Sequence, residues 1–320
     1  MPEPLQLERI DVAALDHPDV LARLDRASRS CGLFALTNHG VGAETLSALQ
    51  RQARAFFAQP HEVKRACLRS FDNPWGYNDA ELTKNTQDWK EIFDHGIDGD
   101  DAHVTPWPEQ TPEFRGAVLE AYAAFEALSL RLVQGFETLF DVIAGTLMRA
   151  FAPSHSSFIR LNYYRPCPDP AAPKAVAVPD AGHLGVNHHT DSGVLTVLLL
   201  DGNDGLEVFH NGAWRGIAAS PGSLVVNLGD VLQVWSNDAY VAPLHRVRAS
   251  ADGGRLSVPF FLNPSYTASY APLPSTVSDA APARYRPIPW AEFRQRRLEG
   301  DYADLGSEVQ ISDYAVDASA

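Results

Sequence analysis

Residues 188–200 read His-His-Thr-Asp-Ser-Gly-Val-Leu-Thr-Val-Leu-Leu-Leu, a polar stretch that runs directly into a mostly apolar one. The apolar part is rich in Val and Leu and predicts a buried β-strand. Because side chains along a strand alternate between its two faces, His189 and Asp191 are expected to point the same way. The stretch therefore predicts that a nitrogen and an oxygen ligand for a metal ion converge. His17-Pro18-Asp19 has the same spacing but precedes a predicted helix, so we set it aside.

A third candidate ligand lies downstream, where two further strands are predicted. His245 begins one of them, and Arg255–Phe261 follows after Ala251-Asp252-Gly253-Gly254, which is typical of a turn. Two strands joined by such a turn form an antiparallel hairpin. His245 and the pair Arg255-x-Ser257 are therefore expected on adjacent strands of one sheet.

Two histidines and one carboxylate form a facial triad that leaves three positions open on an octahedral metal. This ligand set is typical of non-haem Fe(II) oxygenases and differs from a structural zinc site closed by four ligands. Arg255 presents a planar fork of donors, and Ser257 shares its strand face. Together they suit the carboxylate of a ligand that chelates the metal. We predict that His189, Asp191 and His245 bind the metal.

These residues resemble those of the iron- and 2-oxoglutarate-dependent oxygenases of the isopenicillin N synthase-like branch. Each motif is weak alone, but their order and spacing cover nearly the whole chain. The resemblance implies an enzyme that uses Fe(II), 2-oxoglutarate and O₂ to oxidise a small organic metabolite, most simply by hydroxylation, with release of succinate and CO₂. The matching motifs are Asn38-His39-Gly40-Val41, Arg160-Leu161-Asn162-Tyr163-Tyr164, His189-Thr190-Asp191, Gly205-Leu206-Glu207-Val208, Val226-Asn227-Leu228-Gly229-Asp230, His245 and Arg255-Leu256-Ser257.

The same resemblance implies roles for the residues around the metal. The 2-oxo group and one carboxylate of 2-oxoglutarate would chelate iron, while Arg255 and Ser257 hold its far carboxylate. Asn162 and Tyr164 would hydrogen-bond this co-substrate.

Two further residues are candidates for contacts with the substrate. Strand alternation puts Arg160 on the same face as Asn162 and Tyr164. A buried arginine there needs an acceptor, which is either a protein carboxylate or a group on the substrate. Phe261 lies on the Arg255 face of its strand and is expected to line the substrate pocket.

The periodicity of the chain predicts an α+β fold with a mainly β core. Residues 1–110 are predicted to form an N-terminal α/β region, with helices at Val20–Ser30 and Ala43–Phe57 around a strand at Leu33–Thr37, and the resemblance implies that this region is of the non-haem dioxygenase type. In residues 111–152 apolar residues recur every three or four positions. This spacing predicts one long bracing helix of about 57 Å.

Residues 153–265 are predicted to form a double-stranded β-helix, or jelly-roll, the Fe(II)/2-oxoglutarate oxygenase core. Residues 266–320 then hold turns, a helix at Pro289–Gly300 and an acidic tail. The predicted jelly-roll strands are Phe158–Tyr164, Val194–Leu200, Leu206–Phe209, Trp214–Ile217, Leu224–Asn227, Val231–Trp235, His245–Arg248 and Arg255–Leu262. The proline-rich loop Pro166–Pro179 is either a lid over the metal or a surface loop.

Composition narrows the possible partners. The 320 residues are 45% hydrophobic and 21% charged, with a formal net charge of −14. This charge argues against a nucleic-acid or anionic-membrane partner, and a small-molecule substrate is expected instead. Three cysteines without a C-x-x-C pair, and a start without a basic-then-apolar signal, predict a cytoplasmic protein.

Two alternatives remain open from the sequence alone. The first is an Fe(II) oxidase of the isopenicillin N synthase type, which uses no 2-oxoglutarate and places the Arg-x-Ser pair on the carboxylate of its own substrate. The second is a non-catalytic jelly-roll that kept the site in order to bind a ligand.

Overall fold

The computed structural model describes residues 4–83, 86–97, 103–109, 111–170, 183–218, 220–251, 253–300 and 309–316. No helix in these ranges combines the length and the apolar character that crossing a bilayer requires. The predicted loop at Pro166–Pro179 falls largely on residues 171–182, which lie outside the described residues. The α-helices are α1 (Pro18–Ser30), α2 (Ala43–Phe57), α3 (His61–Arg65), α4 (Pro112–Leu139), α5 (Asp230–Trp235) and α6 (Trp290–Gly300).

The strands lie in two facing sheets and two short two-stranded sheets, β4-β5 and β15-β16. In chain order they are β1 (Arg9–Asp11), β2 (Leu33–Thr37), β3 (Gly76–Asn78), β4 (Leu82–Thr83), β5 (Thr86–Gln87), β6 (Glu91–Gly96), β7 (Phe158–Tyr164), β8 (Leu184–His189), β9 (Leu195–Leu200), β10 (Leu206–His210), β11 (Ala213–Gly216), β12 (Leu224–Leu228), β13 (His245–Arg248), β14 (Arg255–Leu262), β15 (Ser269–Tyr270) and β16 (Ile288–Pro289).

The two sheets form the predicted jelly-roll. The large sheet has the order β1-β2-β12-β9-β14-β7-β6-β3, and the small sheet has the order β11-β10-β13-β8. Leu198 and Val225 of the large sheet pack against Val186, Val208 and Val247 of the small sheet. The N-terminal region adds two strands to each edge of the large sheet. The fold is therefore α+β with a mainly β core, as the sequence predicts.

Helix α4 covers the outer face of the large sheet but is shorter than predicted. Its ring of Tyr122 meets Phe260 of β14 edge to face, with centroids 5.1 Å apart. The helix ends at Leu139 because Asp141 takes a left-handed conformation, with φ of 51°. Beyond it the carboxylate of Glu137 accepts the backbone N–H groups of Gly145 and Leu147 at 2.9 and 2.7 Å, which turns the chain back. Its 28 residues span about 42 Å, so the predicted single helix over 111–152 was wrong.

Three predictions about the jelly-roll also need correction. Residues 231–235 belong to helix α5 instead of a strand, because a short apolar run that is buried on all sides has no distinguishing period. The strand that carries His189 ends there, and the apolar run at Leu195–Leu200 lies in the other sheet. β13 and β14 do not form a hairpin, because the connection between them crosses from the small sheet to the large one.

The N-terminal elements agree with the sequence. β2 and α2 have the predicted bounds, and α1 begins two residues earlier. His17 caps α1 by accepting the N–H of Asp19 at 3.3 Å, so the copy of the His-x-Asp spacing that was set aside is a helix cap.

A buried network of charges lies where β6 meets β7. Asp94 and Arg160 stand directly opposite each other on these strands, and Arg160 Nε donates to Asp94 Oδ1 at 2.7 Å. Arg160 also donates to Glu81 Oε2 at 2.9 Å. Lys90 binds Glu81 at 2.7 Å, and Arg69 lies 3.3 Å from the same carboxylate. Burial opposes the ionisation of Glu81, but the charges of Arg160, Lys90 and Arg69 outweigh it and hold its pKa well below the usual range.

Arg160→Ala should destabilise the fold strongly, because it leaves buried Asp94 and Glu81 with a missing partner. We expect a loss of about 3–5 kcal/mol in the free energy of unfolding, measured by chemical denaturation. Arg131→Ala, which breaks the exposed ion pair with Asp16, is the matched control and should cost about 1 kcal/mol or less. Equal losses in the two variants would show that the buried network does not stabilise the fold.

Candidate active site

One pocket brings together all nine residues that the sequence singled out. It encloses about 1110 Å³ between the two sheets, counting its open mouth. The nine residues, which all line its wall, are His189, Asp191, His245, Arg255, Ser257, Asn162, Tyr164, Arg160 and Phe261. The interpretation of these residues as one site therefore agrees with where they lie.

The three candidate metal ligands meet at the small sheet. His189 closes β8, and His245 opens β13 directly opposite it. Asp191 does converge with His189, but it lies in the turn after β8. Strand alternation was therefore the wrong reason for predicting this convergence. Nε2 of each histidine lies 3.7 Å from Asp191 Oδ1. The three ligand atoms all lie within 4.8 Å of one another.

Backbone carbonyl groups orient the two imidazoles from behind. Nδ1 of His189 donates to the carbonyl oxygen of Asn187 at 2.8 Å, and Nδ1 of His245 donates to that of Pro243 at 2.9 Å. Each Nε2 therefore carries a lone pair and points into the pocket. Burial lowers the pKa of His189 well below its ordinary value, and nearby His245 acts in the same direction, so the ring stays neutral.

Asp191 is held through its other oxygen and through its backbone. Oδ2 accepts the hydroxyl of Thr196 at 2.6 Å and the amide of Asn227 at 3.5 Å. The carbonyl oxygen of Asp191 accepts the N–H of Asp230 at 2.8 Å. Gly229 packs so closely that an added Cβ would lie 2.2 Å from the carbonyl oxygen of Gly193. These contacts leave Oδ1 directed at the two imidazole nitrogens.

The donor set fits a divalent metal ion. Three atoms with lone pairs converge in a buried site, and a cation satisfies all three at once. Two imidazoles and one carboxylate on a single side match the facial arrangement of non-haem iron.

A second cluster lies where β14 pairs with β7. Arg255 stands opposite Tyr164, and Ser257 stands opposite Asn162. The guanidinium of Arg255 lies over the ring of Tyr164, 4.8 Å from its centroid. Ser257 Oγ is 3.4 Å from Tyr164 Oη and 3.5 Å from Asn162 Nδ2.

Arg255 has unused hydrogen-bonding capacity that fits a carboxylate. Its side chain is buried, and Nε donates only a long bond of 3.4 Å to the carbonyl oxygen of Asn203. Among the described residues, its Nη1 has no hydrogen-bond partner. A buried, unpaired guanidinium nitrogen is costly, and a carboxylate oxygen would satisfy it.

The two candidate substrate residues occupy one end of the pocket. Phe261 stacks on Phe158 with centroids 4.6 Å apart. Arg160 lines the pocket, but Asp94 and Glu81 hold its guanidinium. Of the two partners considered for Arg160, the structure contains the protein carboxylates, so the substrate is not needed to satisfy it.

Several residues of the site were missed from the sequence. Thr196 is one of them. It is the single polar residue in the apolar run Val194–Leu200, and a polar residue in such a run could have indicated a buried hydrogen bond. Arg294 and Arg297 line the pocket from α6. Their spacing of three residues puts them on one helix face, which a search for paired cations would have detected.

Comparisons with known proteins agree with this site. The 2OG-Fe(II) oxygenase superfamily matches residues 155–264, and the N-terminal region of the non-haem dioxygenase in morphine synthesis matches residues 6–114. Scopoletin 8-hydroxylase of Arabidopsis thaliana is 30% identical over 89% of this chain and 78% of its own length. Gibberellin 2-beta-dioxygenase 5 of Oryza sativa subsp. japonica is 32% identical over 96% of this chain and 86% of its own.

Solved structures give the same result. The crystal structure of JOX2 in complex with 2OG, Fe and JA has a TM-score of 0.84 at 27% identity, covering 97% of this chain and 89% of that one. The dioxygenase for auxin oxidation in rice has a TM-score of 0.77 at 26% identity, covering 97% and 100%. The chain therefore belongs to the 2-oxoglutarate- and Fe(II)-dependent oxygenases, enzymes that act with iron, 2-oxoglutarate and O₂.

Proposed function

We propose that this enzyme hydroxylates a small organic metabolite in the pocket between the two sheets. The observation that carries the proposal is the convergence of the His189, Asp191 and His245 ligand atoms beside the underused guanidinium of Arg255. Relatives named as a scopoletin 8-hydroxylase and a flavanone 3-dioxygenase support a small-molecule substrate. The net charge of −14 supports an enzyme without nucleic-acid or membrane partners, and the three cysteines without a C-x-x-C pair support a cytoplasmic location.

In this proposal His189, Asp191 and His245 hold Fe(II). Arg255 and Ser257 bind the far carboxylate of 2-oxoglutarate, and Asn162 and Tyr164 orient the co-substrate through the hydroxyl of Ser257. With both bound, the metal and 2-oxoglutarate activate O₂ and supply the oxidising power, with release of succinate and CO₂.

Residues of the chain orient the metal ligands and exclude water from the pocket. The carbonyl groups of Asn187 and Pro243 keep the Nδ1 protons of the imidazoles in place, so that neither ring turns away from the site. The apolar side chains between the sheets, among them Leu198 and Val247, close the pocket behind the metal ligands.

A direct test is to add Fe(II) and 2-oxoglutarate without oxygen and to record the weak visible charge-transfer band. Candidate substrates are then screened by succinate release, and products are examined for a gain of one oxygen. A protein that shows the band and releases succinate, but yields products without added oxygen, would retain its class and lose the assignment as a hydroxylase.

Replacement of any one metal ligand should abolish turnover and weaken Fe(II) binding, because two ligands cannot maintain the site's geometry and charge. The variants His189→Ala, Asp191→Ala and His245→Ala are to be compared by iron titration and by thermal melting. Folding should largely survive. A variant with wild-type iron affinity and rate would remove that residue from the ligand set.

Thr196→Val should weaken Fe(II) binding by about 10- to 100-fold, the usual effect of losing a contact that orients a ligand. The change preserves shape but removes the 2.6 Å hydrogen bond that holds Asp191. Thr138→Val, on the exposed side of α4, is the matched control and should bind iron as the wild type does. Unaltered iron affinity in Thr196→Val would mean that Asn227 and the backbone are sufficient to position Asp191.

Arg255→Ala should raise the concentration of 2-oxoglutarate required for half-maximal activity by about 10- to 150-fold, as expected for a lost charge-assisted hydrogen bond. Iron affinity should change little, because Arg255 contacts none of the metal ligands. The measurement is a titration of 2-oxoglutarate at fixed iron. If the dependence on 2-oxoglutarate persists while the response to the organic substrate is lost, the Arg-x-Ser pair binds the substrate, as in the oxidase alternative.

A further inference from the structure

Arg294 differs from three other cations that line the pocket. Arg160 is paired with Asp94, Lys90 with Glu81, and Arg297 with Asp230. Within the described part of the chain, Arg294 has no carboxylate within ion-pair distance. Its guanidinium group instead lies over the ring of Phe158, with the guanidinium carbon 5.3 Å from the ring centroid. Arg294 is therefore a half-buried pocket cation whose charge no carboxylate of the described residues neutralises.

Helix α6 is fixed so that Arg294 stays over the pocket. One turn further along the same face, Arg297 donates to Asp230 Oδ2 at 3.1 Å and to the carbonyl oxygen of Thr190 at 3.4 Å. Thr190 lies between two of the metal ligands, His189 and Asp191. The helix is thus tied to the metal-binding turn, and the position of Arg294 relative to the metal follows from that contact.

Among the described residues that line the pocket, Arg255 and Arg294 are the guanidinium groups without a carboxylate partner, and they lie near opposite ends of strand β14. Arg255 is at the start of β14, and Phe261, which stacks on Phe158 below Arg294, is six residues later. Six residues of strand span about 20 Å. One dicarboxylate of the size of 2-oxoglutarate, bound at Arg255, therefore leaves Arg294 to another anion.

We propose that Arg294 binds a carboxylate, or an equivalent anionic group, on the organic substrate, and that the apolar body of this substrate lies against Phe158 and Phe261. The inference rests on the proposed function, because it assigns the substrate to this pocket. It makes the substrate an organic acid with a ring or chain that suits an aromatic wall. The stacked ring of Phe158 restrains the guanidinium before the acid arrives, which favours binding.

The test uses the complete protein with Fe(II) and saturating 2-oxoglutarate, without oxygen. A panel of ring-bearing carboxylic acids is compared with the matching primary amides by thermal melting, and the compounds that shift the melting temperature are measured by calorimetry. Saturating 2-oxoglutarate occupies the site of Arg255, so the panel reports on the other end of the pocket. In the wild type the best acids should bind about 10-fold or more tightly than their amides.

Arg294→Gln should remove the preference for acids, and Arg294→Lys should keep part of it, because the charge remains while the planar fork is lost. The charge-transfer band and the affinity for 2-oxoglutarate should stay unchanged in both variants. Arg296→Gln is the matched control, since Arg296 lies on the same helix, is exposed and pairs with Glu292. It should bind the acids as the wild type does.

The proposal is overturned if no acid in the panel binds the wild type better than its amide. It is also overturned if Arg294→Gln keeps the full preference. Loss of the charge-transfer band in the wild type is a separate outcome, because it would contradict the proposed function itself. A normal band without a preference for acids would contradict the role of Arg294 alone.

Discussion

The site depends on the burial of one carboxylate, Asp191, against two imidazoles. Their three ligand atoms lie within 4.8 Å of one another. Such an arrangement is unfavourable in a protein interior unless the groups behind it prevent their rotation. Thr196, Asn187 and Pro243 supply that restraint, so the ligand geometry is set by the protein before a cation arrives. A restrained ligand set loses little freedom on binding a metal.

The charge network next to the site plays a related part. Its three cations, Arg69, Lys90 and Arg160, meet three carboxylates, Glu81, Asp88 and Asp94, so the buried cluster is neutral in sum. Asp88 also accepts the N–H of Asn187 at 3.3 Å, two residues before the ligand His189. The N-terminal region is thus connected to the strand that carries the metal ligand, and it forms part of the pocket wall.

Local patterns in the sequence were sufficient to locate the candidate ligands and the Arg-x-Ser pair, because these motifs are short, although Asp191 lies in a turn where strand alternation does not apply. They were insufficient for contacts between distant segments. The partners of Arg160 come from residues 81 and 94, and nothing in the Arg160 motif identifies them. The helix α4 was predicted too long because the apolar spacing in the sequence continues past Leu139 to Ile143. In the structure the chain has already turned there, and Ile143 is exposed. The crossing between β13 and β14 depends on the closure of the whole barrel, which a turn motif does not encode.

The position of α6 has a consequence for how specificity changes among such enzymes. Residues 290–300 lie beyond the 155–264 segment that carries the shared oxygenase signature. The groups for iron and 2-oxoglutarate and the proposed group for the substrate are therefore encoded in separate parts of the chain. If Arg294 binds the substrate as proposed, its replacement would alter which molecule is accepted without altering an iron ligand, whereas Arg297 ties the helix to Thr190 and Asp230. Substitutions on one face of this helix, in evolution or in a laboratory library, can thus change the accepted substrate while the residues for iron and 2-oxoglutarate stay the same.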